Sequence, residues 1–193
     1  ENYFSDKKDG VFLEIGCIDG IHLSNTKFFE DLGWTGLCIE PSPTNFHKML
    51  ENRKCICENV AISNYEGVSK FWDIHGYGQG LSGLEEKYDP RHIDRINTEM
   101  QRAENKGVTH CEVKVEFLNT LLEKHELYHI DFCTLDTEGG EYEILESIDF
   151  NKYQIKMILV ENNYKEDKNK NFLIPQGYRL LGTLGQDEIY LKN

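Results

Sequence analysis

Short apolar runs alternate with helix-patterned stretches along most of the chain. GVFLEI (10–15) is continuously apolar but for one acid and is bounded by glycines, the pattern of a buried strand. SNTKFFEDLGW then predicts a helix capped by Ser24, with Phe28, Phe29 and Leu32 on one face and Gly33 as its stop. TGLCIE (35–40) predicts a second strand, Pro41 and Pro43 mark its exit, and NFHKMLENR predicts a second helix. KCICENVAI (54–62) holds a third strand. Repeated strand–turn–helix units build a parallel sheet covered by helices on both faces.

The rhythm breaks in the middle. VSKFWD (68–73) alternates and predicts an added edge strand. HGYGQGLSG has four glycines in nine residues and reads as a loop. PRHIDRINTEMQRAENKG predicts a charged helix with Pro90 near its start and Gly107 at its end. The segment from about 74 to 110 is therefore expected to be an insertion over the open sheet edge, inside one domain spanning 1–193. The alternation resumes with EVKVEF, and LNTLLEKHEL predicts a helix. HIDFCTLD (129–136) is a strand ending in an acid, EYEILESI a helix, and IKMILVEN (155–162) another strand ending in an acid. YRLLGTLGQDEIYLK reads as two strands about a glycine turn. An α/β fold with a mostly parallel sheet closed by a C-terminal antiparallel hairpin has the layout of the class I methyltransferase Rossmann-like fold. A dehydrogenase-type domain usually ends on a parallel strand.

Composition narrows the partners. With 193 residues, 39% of them apolar, the chain is long enough for one compact domain. The net charge of −13 opposes binding to nucleic acid, which needs clustered Lys and Arg, and suits a small cationic or neutral ligand better. No apolar run is long enough to span a membrane. The N-terminus is polar and unlike a secretory signal, and four of the six cysteines sit in apolar strand-like runs without a CxxC pair. A reducing, cytoplasmic setting with free thiols is expected. The absence of an initiator Met fits a piece cut from a longer, multidomain chain.

FLEIGCIDGIHLSN carries the first candidate chemistry. In open α/β sheets, ligands sit at the carboxyl ends of strands, near the point where strand order reverses. Here Gly16-Cys17-Ile18-Asp19-Gly20 lacks the middle glycine of the dinucleotide fingerprint, so close contact with a pyrophosphate is disfavoured. Glu14 would place a carboxylate near the ligand, repelling a pyrophosphate and attracting a sulfonium or amino group. Glu40, at the end of the second strand, can accept both ribose hydroxyl protons, with Pro41 and Ser42 walling an adenine ring. Acid-x-Gly-x-x-x-Gly with a second acid one strand later is a pattern of S-adenosylmethionine sites.

EIGCIDGIHLSNTKFFEDLGWTGLCIEPSPTNF, NVAIS, IDFCTLDTEGGEYEILESIDF and ILVEN, in that order, resemble the FkbM-type methyltransferases. GWTGLCIEPSP and LDTEGGEYEIL are the most specific segments, and the resemblance runs from about Tyr3 to Asn162. It implies S-adenosylmethionine-dependent O-methylation, commonly of a sugar or other hydroxyl in glycan or natural-product pathways. It places the cofactor against Glu14, Gly16, Asp19, Gly20, Asn25 and Glu40, with Ala61 near adenine. The segment 74–110 matches least, as expected if it selects the acceptor.

Methyl transfer to oxygen needs an in-line acceptor, loss of the hydroxyl proton and a dry site. A carboxylate or histidine can take the proton: Asp136, Glu138 and His75, then His22 and His110, are the candidates. Acidity at a helix start accounts for Glu141 and Glu143. Alternatively, Asp136, Glu161 and Asn162 could hold a Mg²⁺ that binds vicinal hydroxyls, an arrangement that resembles the catechol-type O-methyltransferases. Trp72 and Tyr77 could stack on a sugar face, as could Tyr88, with Ser82 and Glu161 lining the acceptor pocket. The reading is an O-methyltransferase acting on a sugar hydroxyl of a glycan or small-molecule acceptor. The alternatives are a lipid or polyketide hydroxyl, or a non-catalytic methyltransferase-like binding module. A nicotinamide oxidoreductase is opposed by Ile18 and the hairpin.

Overall fold

The computed structural model describes residues 3–102 and 105–193, the backbone alone at 105 and 106. Strand β1 (Val11–Ile15) leads through a loop to the short helix α1 (Lys27–Asp31), then to β2 (Thr35–Ile39) and α2 (Pro43–Asn52). Helix α2 starts where it does because Pro43 takes the first position and the Ser42 hydroxyl accepts from the Asn45 N–H at 3.1 Å. Next come β3 (Ile56–Glu58), β4 (Ala61–Ile62), β5 (Gly67–Gly76), β6 (Gly83–Leu84), α3 (Pro90–Glu99) and β7 (Asn105–Glu116). The chain finishes with α4 (Leu118–Lys124), β8 (His129–Leu135), α5 (Glu141–Ser147), β9 (Gln154–Glu161), α6 (Lys168–Leu173), β10 (Tyr178–Leu184) and β11 (Asp187–Lys192).

Seven strands form the main sheet in the order β10-β11-β9-β8-β1-β2-β3. The five from β9 to β3 run parallel, and β11 and β10 close the edge antiparallel, as the sequence predicts. Alternation along the strands divides the core. Leu13, Ile15, Leu37, Ile39, Leu135 and Val160 face the layer of α4, α5 and α6. Phe12, Cys38, Phe132 and Leu159 face Phe29, Trp34 and Met49 on the other side. The order reverses between β1 and β8, which makes the carboxyl ends of β1, β2 and β8 the natural place for a ligand.

The middle of the chain departs from the sequence expectation. Residues 68–73 are not an added edge strand of the main sheet. They belong to β5, which pairs antiparallel with β7 across ten register positions in a second sheet ordered β4-β7-β5-β6. The 112–117 run likewise pairs with β5 and β4, and the 54–62 run is split between the two sheets. Helix α3 stops at Glu99, and Gly107 lies in β7 opposite His75 at φ +97°. The first helix is also shorter than expected: Ser24 accepts from the Lys27 N–H, yet only Phe29 turns inward, while Phe28 and Leu32 are exposed. The second sheet has its own apolar centre, with Phe71, Leu84, Val113 and Val115 on one side and Ile74, Leu81 and Ile96 on the other.

Candidate functional site

A cavity of about 440 Å³ opens at the carboxyl ends of β1, β2 and β8, roofed by the segment between β5 and α3. Its volume falls in the range of small-molecule sites, roughly 300–1,000 Å³. One end is apolar, with Val60, Ala61, Ile62 and Phe71. The other holds three carboxylates, Asp136, Glu138 and Glu161, whose oxygens lie within 4.8 Å of one another.

Gly16 and Glu40 join the two ends. Gly16 has φ +87°, and a Cβ there would lie 1.7 Å from the Asp136 carbonyl oxygen, so the turn after β1 packs directly on the end of β8. Glu40 follows β2 and is 4% exposed. Its two oxygens accept separately from the Ile18 and Ser42 N–H groups, each at 2.8 Å. Burial pushes its carboxyl up to about 8, against the pull of those amides. Pro41 lines the wall beside it.

Several residues expected to touch a cofactor shape this pocket from behind. Glu14 lies within β1 and faces the α1–α2 layer, so its side chain does not line the cavity. Its carboxylate accepts from Ser24 Oγ, Thr26 Oγ1, the Asn25 N–H and Arg53 Nη1 at 2.6–3.0 Å, which spends it on holding the loop. Asp19 accepts from the Ile21 and His22 N–H groups, and Asn25 Nδ2 donates to Thr134. Gly20 makes room for the Arg53 stem, and Ser42 donates to Asp73 of β5 at 2.7 Å. None of these four lines the cavity.

The acidic end is built on the turn from β8 to α5. Glu141 accepts from the Thr137 N–H and hydroxyl and from the Gly139 N–H, closing the turn on itself, so its acidity serves the helix start. Glu138 sits at φ +60°, a strained position for a residue with a Cβ. It is 6% exposed, with Oε2 at 3.2 Å from His92 Nδ1, 3.3 Å from Asn163 Nδ2 and 3.7 Å from Arg95 Nη1. Its recess from solvent, with Asp136 nearby, holds its carboxyl well above the usual range. Asp136 opens onto the cavity, yet desolvation and Glu141 raise it too, and Glu161 is raised by desolvation and by Asp136.

Other candidates stand apart from the cavity lining. His75 is not among the lining residues: β5 continues through it, and its ring meets Thr109 Oγ1 at 2.8 Å. Trp72 does not line the cavity either; it donates to Glu85 and packs edge-on against Tyr88 and His110, beside Ile74, Leu81 and Ile96. Tyr77 and Ser82 do line the cavity, Tyr77 as an exposed rim and Ser82 with its hydroxyl donating to the Gln79 carbonyl. The metal set of Asp136, Glu161 and Asn162 is not assembled. The Asn162 amide is closed in a ring with the Glu166 backbone, and Glu138 takes its place beside the other two acids. Glu138 is already held by His92 and Asn163, and the Arg95 guanidinium supplies positive charge there.

The sequence reading missed His92, Arg95, Lys87 and Gln79. For His92 and Arg95 the signal was the spacing in PRHIDRI, which puts them with Ile96 on one helix face in a segment read only as charged.

A family model described as the methyltransferase FkbM domain matches residues 14–184. The chain is also similar to the crystal structure of methyltransferase FkbM from Methylobacillus flagellatus KT, with a TM-score of 0.56 at 10% identity, a likeness of fold. That match covers 95% of this chain and 44% of the other, so the chain spans less than half of that protein's length. No curated protein matches the chain.

Proposed function

The chain belongs to the FkbM methyltransferase family, and from that premise we propose that it is an S-adenosylmethionine-dependent O-methyltransferase acting on a sugar hydroxyl of a glycan or glycoconjugate. Methyltransferases of this family generally use S-adenosylmethionine. The observation that carries the reading is one cavity joining Glu40 and an apolar wall to three carboxylates.

The residues fit the cofactor. Val60, Ala61 and Ile62, with Pro41, offer an apolar slot for adenine, and Glu40 accepts from the ribose diol. The backbone at Gly16 and Ile18 passes close enough to border the remainder. S-adenosylmethionine supplies a methyl group on a positive sulfur, which the carboxylates at the far end attract. Glu14, Asp19, Gly20, Asn25 and Ser42 hold the shape of these walls. Glu138 takes the acceptor's proton as the acceptor oxygen attacks the methyl carbon and the carbon–sulfur bond breaks. Asp136 and Glu161 accept from neighbouring acceptor hydroxyls and fix the orientation. The 74–110 segment, through Tyr77, Gln79 and Leu81, is the acceptor-side lid. The six free thiols support a reducing, cytoplasmic setting, and no helix among the described residues is long and apolar enough to cross a membrane.

The test is methyl transfer from labelled S-adenosylmethionine to glycan, lipid and polyketide acceptors, each with and without EDTA. Transfer to a glycan hydroxyl, unaffected by EDTA, is expected. Transfer only to a lipid or polyketide would overturn the acceptor class, and loss of activity with EDTA would restore a metal to the mechanism.

A further inference from the structure

His92 lies in α3 with 2% of its surface exposed. Its Nε2 is 3.1 Å from the Leu81 carbonyl oxygen. A carbonyl oxygen only accepts, so Nε2 carries a hydrogen. The same oxygen accepts from the Tyr88 hydroxyl at 2.9 Å, and the Tyr88 ring lies over the imidazole at 4.6 Å. The ring is thus fixed in both tautomer and orientation. Its other nitrogen, Nδ1, lies 3.2 Å from Glu138 Oε2. With the Nε2 hydrogen given to Leu81, that contact is attractive only if Nδ1 or Oε2 carries a proton.

All three polar contacts of Glu138 fall on Oε2, from His92, Asn163 and Arg95. Oε1 makes no hydrogen bond among the described residues, and the side chain borders the cavity. We propose that His92 is the positioning residue for Glu138: locked as the Nε2–H tautomer by the Leu81 carbonyl, it takes the shared proton on Nδ1 and leaves Oε1 ionised toward the acceptor. The inference rests on the methyl-transfer reading given above. In the reaction, the acceptor O–H bond breaks and its proton passes to Glu138 Oε1. The acceptor oxygen bonds to the methyl carbon, and the carbon–sulfur pair of electrons stays on sulfur. His92 keeps its Nδ1 proton throughout, and the proton on Glu138 leaves to solvent afterwards.

Desolvation lowers His92 and raises Glu138, so burial alone leaves the shared proton on Glu138, and its passage to Nδ1 accompanies entry of the cationic methyl donor. The groups facing the pair are Asp89 and Arg95 of α3, Tyr88 before it, Asp136 and Glu141 around the turn, Glu161 of β9, and Asn163 and Tyr164 beyond it. Because Leu81 ends the lid turn, the pair also ties the lid's position to the state of Glu138.

Two measurements on the full chain test this. Long-range ¹⁵N–¹H NMR, with the His92 signal assigned by its loss in His92→Gln, should show hydrogen on Nε2. A neutral ring protonated on Nδ1 alone would overturn the proposal. In kinetics, His92→Gln keeps a donor for Leu81 and removes Nδ1. It should lower kcat roughly 10- to 100-fold, below the full effect of a general base, with S-adenosylhomocysteine affinity nearly unchanged. His92→Asn, which restores a donor near Nδ1, should recover part of kcat. Wild-type turnover with undiminished kcat in His92→Gln would contradict the role of His92 alone. A folded wild type that neither binds S-adenosylhomocysteine nor transfers methyl would instead contradict the reading of the site and the proposal with it.

Discussion

At the scale of single residues, the pocket depends on two buried charges with different duties. Arg53 is fully enclosed, with Nη1 3.0 Å from Glu14 and Nε 3.0 Å from Glu30. Nη1 also donates to the Gly20 carbonyl, and Nη2 donates to Thr26. Removing one partner of a buried pair leaves the other charge uncompensated, at a cost of about 3–5 kcal/mol. Arg53→Met should therefore lower stability by that order in denaturant unfolding and weaken cofactor binding through the loop; a variant as stable as wild type would show that the network holds nothing. Glu40 is different, because its carboxyl is raised to about 8 by burial. A carboxyl raised in the folded state binds its proton more tightly there than when unfolded. The stability this gives is full below the ordinary carboxylate range and is lost as pH rises through about 8. Glu40→Gln, always neutral, should gain stability relative to wild type across that window, as melting curves at several pH values would reveal. A constant difference would place the carboxyl at its ordinary value.

At the scale of elements, the end of a strand matters more than its interior. Glu40 and Asp136 each stand one residue beyond a strand, past Ile39 and Leu135, and both face the cavity. Glu14 stands inside β1 and faces a helix layer. The acid-x-Gly spacing led the sequence reading to set Glu14 beside the ligand, but its place inside the strand is why Glu40 and Asp136 are at the cavity while Glu14 is behind it. The pairing of β5 with β7 was not legible. The strands are separated by β6, a helix and two turns, and alternation does not say which sheet a strand joins. Within that pairing His75 and Trp72 fall outside the cavity lining, while α3, which lies between the two strands in sequence, brings His92 to Glu138. The inserted segment is seated on the turn between β8 and α5 at Gly139, where φ is +128° and a Cβ would lie 2.5 Å from the Lys87 carbonyl oxygen. Gly139→Ala should cost about 1–3 kcal/mol in strain and reduce kcat more than cofactor affinity. Equal losses in both would mean that the turn serves the whole pocket alike.

At the scale of the whole molecule, the main sheet supplies the side of the cavity proposed for the cofactor, and the segment from the second sheet roofs the side proposed for the acceptor. The mostly parallel main sheet and the closing hairpin could be read from the sequence because each strand is short, apolar and punctuated by glycine or an acid. The acceptor could not, since it depends on how 74–110 folds over the site. Calorimetric titration of the purified protein with S-adenosylhomocysteine, beside Glu40→Ala, tests the central claim most directly. Wild type should bind and Glu40→Ala should bind roughly 10- to 100-fold more weakly, the cost of hydrogen bonds to a charged group. At pH 7 wild-type binding should also release protons, seen as a dependence of heat on the buffer, because the ribose favours the ionised carboxylate. A folded wild type that does not bind, or an alanine variant that binds equally well, would contradict the account.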